Sequence, residues 1–144
     1  MNRTTLFALA SGIILGAGGM TLARHDETAK TKVTVLSERN ISEKVDGKEA
    51  KVTVVEVSLD PGQGGSPHRH PGPVFGYVLE GEYEHAIDDQ PAKTLKTGDT
   101  FYEPTGCLHR VSKNPSEKTK TRVLAVVVHS RDAKQVAIPE PKKD

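Results

Sequence analysis

The chain has 144 residues, of which 35% are apolar, 27% charged and 4% aromatic, and its formal net charge is +1. This length holds one domain. The near-neutral charge and the lack of Trp exclude a basic, base-stacking nucleic-acid surface. Frequent Gly and Pro favour a turn-rich β fold, and a single Cys excludes an internal disulfide framework.

Residues 1–23 read as a signal peptide. Arg3 is followed by an uncharged run from Thr4 to Ala23, with an apolar centre between Leu6 and Leu15 and small residues up to Ala23. Cleavage after Ala23 places the remainder in the periplasm or outside the cell, with no membrane contact. The competing expectation is an uncleaved N-terminal helix that anchors the chain. The run is long enough for that, and Gly12 and Gly16 have the spacing of a helix-packing face. Removing residues 1–23 removes one Arg and no acid, which leaves acidic and basic side chains balanced.

Residues 24–48 are a polar lead-in with a first short strand at Lys32–Leu36. Residues 49–130 carry the main β pattern. Glu49–Leu59 alternates, with Thr53, Val55, Val57 and Leu59 on one face. Further strands are expected at Val74–Glu80, Glu82–Ile87, Thr94–Lys96, Thr100–Glu103, His109–Ser112 and Thr121–His129, each bounded by turn residues. Residues 131–144 read as an extended, loose tail. No helical period stands out. The pattern predicts an all-β sandwich or barrel, with a jelly roll as one solution.

The chemistry lies in the histidines. In a strand, His68 and His70 share one face and can converge on one ion, while Arg69 points away. Imidazole nitrogen suits zinc, iron, manganese, nickel and copper. His85 shares a face with Tyr83 and Ile87, as a buried histidine bonded to backbone or as a pocket residue. Cys107 reads as a small buried hydrophobe or a thiol near the metal. Tyr77 and Tyr102 border the same strands, as core residues or pocket hydroxyls. His129 is expected to be structural or exposed, and His25 to play no part. Hydrolase elbows, phosphate loops and dinucleotide fingerprints are absent from the sequence.

Two stretches resemble the two motifs of the cupin superfamily. The first runs from Gly62 through His68 and His70 to Gly81; the second runs from Gly98 through Pro104, Gly106 and His109 towards Asn114. The resemblance implies a single-domain cupin double-stranded β-helix, a jelly-roll barrel, with His68, His70 and His109 as metal ligands. Two departures stand out. The first-motif Glu falls on Val74 or Phe75, and Asn114 comes one residue late.

The missing carboxylate leaves three readings. The site is three-histidine, resembling cupins that bind iron for oxygen chemistry. Or Glu103, which shares strand parity with Phe101, restores a mixed site as fourth ligand or general base. Or metal binding is weak or lost. The expected cofactor is one divalent ion, Fe2+ first, with Mn2+, Ni2+, Cu2+ or Zn2+ as alternatives. The expected function is a metal-dependent, dioxygenase-like oxidoreductase acting on a small organic molecule. A non-catalytic periplasmic module that binds a ligand or a metal is the alternative. A homodimer paired through the long strand on the N-terminal side completes the expectation.

Overall fold

The computed structural model describes residues 31–141. The signal-peptide reading of residues 1–23 and His25 lie outside the described residues. In chain order the strands are β1 (Lys32–Val45), β2 (Lys48–Leu59), β3 (His68–Arg69), β4 (Val74–Glu80) and β5 (Glu82–Ile87). They continue with β6 (Lys93–Lys96), β7 (Thr100–Glu103), β8 (Leu108–Lys113), β9 (Thr121–Ser130) and β10 (Ile138–Pro139). No helix occurs among the described residues.

The strands form two five-stranded antiparallel sheets. One has the order β1-β2-β9-β4-β7 and is here the valine sheet; the other, β10-β3-β8-β5-β6, is the histidine sheet. They face each other as a jelly roll and do not close into a continuous barrel. Alternation decides what lies between them. Val55, Val74, Ala125 and Val127 make one buried cluster; Leu59, Val78, Tyr83 and Val123 make another.

Two segments depart from the sequence expectation. The first strand runs to Val45, well past Leu36. Its second half is polar and largely exposed, so no buried face betrays it. It pairs with β2 through the two-residue turn Asp46-Gly47, with φ of 51° and 75°, the backbone that a tight hairpin demands. The described part of the tail is not loose. Ile138 and Pro139 pair with Arg69 and His68, adding an edge strand beside the motif histidines.

Asn114, though one residue late against the motif, is fully buried. Its amide donates to the carbonyls of Leu59, Asp60 and Thr119, and its oxygen accepts from the Ser116 amide. This ties the end of β8 to the end of β2. His129 is also buried, and its Nε2 lies 2.9 Å from the Thr53 hydroxyl, far from the motif histidines in sequence and in role.

Candidate metal centre

Strand register brings the motif histidines together. His68 on β3 is directly opposite His109 on β8, and His70 follows β3. All three line the space between the sheets. Their ligand atoms lie within 4.8 Å of one another.

The hydrogen bonds fix which ring nitrogens carry protons. His68 Nδ1 meets the Ser66 carbonyl at 2.8 Å, and His70 Nδ1 meets the Val136 carbonyl. A carbonyl only accepts, so both Nδ1 atoms are donors and both Nε2 atoms carry lone pairs. Those two Nε2 atoms face each other at 3.1 Å. With no proton between them, the contact is repulsive until a cation sits there. Two ligands at ~2.1 Å from one ion, at right angles, lie about 3 Å apart. The spacing therefore fits adjacent ligands of one metal.

A second pair repeats the logic. The Tyr83 hydroxyl donates to Ser112 Oγ at 2.9 Å, so at 3.3 Å it accepts from His109 Nε2. His109 Nδ1 is left as a buried lone pair without a hydrogen-bond partner, 3.1 Å from Glu103 Oε1. Glu103 Oε2 is also buried without a hydrogen-bond partner, 3.5 Å from His70 Nε2. Buried acceptors without donors are costly and call for a cation.

Glu103 therefore points inward. It is 1% exposed, and His85 Nε2 donates to its Oε1 at 3.1 Å. The partner of His85 is this carboxylate, where the sequence offered a backbone group. Glu103 on β7 is the cross-strand neighbour of Val74 on β4, the position where the motif Glu would fall. The carboxylate reaches the site from the adjacent strand.

Burial lowers the His70 pKa and pulls that of His109 down to about 4. Burial alone would raise Glu103, but the His85 hydrogen bond and the surrounding imidazoles bring its carboxyl below the ordinary value. At neutral pH His70 and His109 are thus held as neutral imidazoles beside the Glu103 carboxylate, the forms in which these groups bind a metal.

A cavity of about 280 Å³ adjoins the cluster. Its walls are mostly small aliphatic side chains, among them Val55, Val57, Val123, Ala125 and Val127. The tail lines the cavity with Val136, Ala137 and Pro139. It is clamped there by Glu140, whose carboxylate takes two hydrogen bonds from Arg69, at 2.9 and 3.2 Å, while Arg69 also donates to the Gly106 carbonyl. Sequence reasoning missed this strap, and it underrated Tyr83 and Ser112. Parity with His85 was the one available signal for Tyr83.

Other expected pocket residues lie elsewhere. Tyr77 and Tyr102 are exposed and do not line the cavity, because they alternate with the inward positions of β4 and β7. Phe75 is exposed as well. Cys107 is buried, and desolvation pushes its thiol up to about 11, so it stays protonated and is a poor ligand or nucleophile.

Fold and site together define a metal-competent jelly roll. The family model for the cupin domain matches residues 55–127, and the chain belongs to that family. No curated protein matches it by sequence. Among solved structures it is similar to an uncharacterised conserved protein with a double-stranded β-helix domain from Klebsiella pneumoniae. That match has TM-score 0.60 and 22% identity, over 78% of this chain and 88% of that one. It is also similar to the DMSP lyase DddQ from Ruegeria pomeroyi, at TM-score 0.57 and 18% identity, over 78% of this chain and 54% of that one. A Cupin 2 conserved barrel domain protein from Salinispora arenicola aligns at TM-score 0.53 and 18% identity, over 70% and 76% of the two chains. At these identities the likeness speaks for the fold alone.

Proposed function

We propose that this cupin is an exported metal-dependent enzyme that acts on a small, largely apolar organic molecule, with dioxygenase-type chemistry as the leading reaction. One observation carries the reading: the His68 and His70 lone pairs face each other at 3.1 Å beside a buried carboxylate, at the wall of an apolar cavity. His68, His70, His109 and Glu103 would hold the ion. Fe2+ is the ion favoured for the oxidative reading, and the same donor set also accepts Mn2+, Ni2+, Cu2+ and Zn2+. Such an ion supplies Lewis acidity and, when redox-active, electrons for O2.

The chain's own residues do the rest. The Ser66 and Val136 carbonyls orient His68 and His70, and Tyr83 orients His109. His85 holds Glu103 Oε1 and leaves Oε2 as the atom free to meet a cation or to take a substrate proton. The aliphatic walls exclude water and fit an apolar substrate body. Export rests on the sequence of residues 1–23 and is checked by N-terminal sequencing of the protein from the periplasm or medium.

A second reading has its own support. A cavity wall built partly by the tail and clamped by Arg69 and Glu140 suits slow exchange, as in a module that binds a ligand or a metal without turnover. The test begins with elemental analysis of the chain from residue 24 onward, purified without chelator or metal-affinity resin, beside His68→Ala/His70→Ala. About one first-row metal per wild-type chain and none in the variant supports the site; no metal in the wild type, even after each ion is added, sinks it. The loaded protein then meets a panel of small molecules with and without O2. Oxygen consumption coupled to product supports the oxidative reading. Product formed equally without O2 replaces it with a non-oxidative reaction, the kind a lyase neighbour brings to the panel. Ligand-dependent stabilisation without any product supports the binding module.

A further inference from the structure

The walls of the cavity hold an uneven set of charges. Among the described residues that line it, Glu103 is the one acid, and none is Lys or Arg. Thr31, Ser66, Tyr83 and Ser112 are polar but uncharged, and the three motif histidines belong to the metal centre. Cations that stand beside wall residues in the chain are turned elsewhere. Arg69 donates to Glu140 and to the Gly106 carbonyl. Arg110 donates to the Asp88 and Gln90 carbonyls, and Arg122 pairs with Glu56 and Glu80. Lys32 and Lys113 are exposed, on the face opposite their wall-lining neighbours.

We infer that the cavity selects a monoprotic acid: one ionisable head on an otherwise uncharged body, the size of one substituted ring. This rests on the metal-centre reading above and narrows its substrate class. Histidine binds a metal as neutral imidazole. A divalent ion held beside Glu103 therefore leaves one positive charge uncompensated in a buried site. A head that binds as a monoanion (a carboxylate, phenolate, enolate or thiolate) cancels that charge. A second anionic group on the body would be enclosed by aliphatic walls with no cation to meet it, which is costly. A cationic group fares no better, because the one carboxylate is bonded to His85 and aimed at the histidines.

Volume sets the size of the body. The cavity of about 280 Å³ is nearly twice the ~150 Å³ that encloses benzene. One ring with its head and a short substituent fills it. Ala125 stands among Val55, Val74 and Val127 on the valine-sheet wall, outside the set of ligands. A larger side chain there takes room from the occupant. The metal-free site reverses the preference. Glu103 is then a buried carboxylate with Oε2 unpartnered, and it repels an anionic head. Binding of a monoanion thus depends on the ion, while the exclusion of a second charge depends on the walls.

The experiment is calorimetric titration of the Zn2+-loaded chain from residue 24 onward, its zinc content first measured by elemental analysis. The probes are 3-methylbenzoate, the dianion isophthalate and the zwitterion 3-(aminomethyl)benzoate. Their 1,3 spacing keeps the second group from reaching the ion that holds the first. 3-Methylbenzoate is expected to bind, and the other two at least about tenfold more weakly. Chelator-treated protein is expected to bind 3-methylbenzoate at least about tenfold more weakly as well. Ala125→Leu is expected to weaken that probe by about tenfold or more, with zinc content and circular dichroism unchanged. The milder Ala125→Val guards against misfolding and is expected to act in the same direction. Isophthalate or the zwitterion within about tenfold of 3-methylbenzoate overturns the inference. So does a loaded protein that binds no 3-methylbenzoate below about 10 mM, or binding that ignores both Ala125 variants or removal of the ion. A chain that takes up no zinc fails earlier, at elemental analysis, and overturns the metal reading together with the inference.

Discussion

Acidification of the metal-free protein tests the electrostatics of the cluster. His109 has an ordinary pKa of 6.5 and is held at about 4 in the fold, chiefly by burial. The folded protein therefore binds fewer protons than the unfolded chain between these two values. The stability that results is fully present above 6.5 and is lost as the pH falls towards 4. The full difference is worth about 3 kcal/mol, of which about 2 kcal/mol is lost between about pH 7 and about pH 5. His70 is lowered as well and adds in the same sense. Glu103 is lowered and contributes only at more acid pH, below the usual carboxylate value. Urea unfolding of chelator-treated protein at steps from about pH 7 to about pH 5 reads the effect directly. In His109→Gln the loss over this range is expected to shrink by about 2 kcal/mol. A wild-type stability that is flat over this range, or a slope unchanged in His109→Gln, would refute the reasoning.

Two further outcomes follow from the packing. Glu140→Ala releases the strap that holds the Val136 carbonyl on His70. Because the Arg69–Glu140 pair is about one-third exposed, stability should change by less than about 1 kcal/mol, while metal affinity measured by chelator competition drops about 10- to 100-fold. Gly76→Ala places a methyl 2.0 Å from the Phe101 ring; a loss of at least ~1–3 kcal/mol in thermal or urea unfolding is expected. Phe101 also packs 4.6 Å from the His85 ring, so the same variant should weaken metal binding.

The parts that could be read from the sequence share one property, which is that their signal is local. Alternation marked β2, β4, β5 and β9, because each has one face in the core. The histidine spacing marked His68, His70 and His109. Parity with Phe101 already aimed Glu103 inward, and parity applied to Tyr77 and Tyr102 would have sent them outward. The parts that could not be read are non-local or made by backbone. The second half of β1 is mostly polar and exposed, and is held by its ladder to β2 and by the Arg131 hydrogen bond to the Ile41 carbonyl. The strap acts through a carbonyl at Val136 and an ion pair between residues 71 apart. No pattern in the chain encodes a contact made by a peptide oxygen.

The displaced carboxylate is the clearest case, and it can be tested by moving it back. Residues directly opposite on an antiparallel pair have Cβ atoms about 5 Å apart, within the reach of a Glu side chain. Val74 and Glu103 are such a pair, and both are buried at the cavity wall. A motif scan along the chain finds Val74 and reports a missing ligand; the register finds the carboxylate one strand away. Glu103→Val should then lower metal affinity by at least about 100-fold, since it removes the only anionic donor of the cluster. The exchange Val74→Glu/Glu103→Val returns a carboxylate to the same stretch of wall and conserves side-chain composition. It should recover affinity to within about tenfold of wild type, the remainder reflecting the lost His85 hydrogen bond. Calorimetric titration of the chelated proteins with Fe2+ without O2, or with Zn2+, separates the outcomes. If the exchange binds no better than Glu103→Val alone, the carboxylate's position on the ladder is not what the site requires.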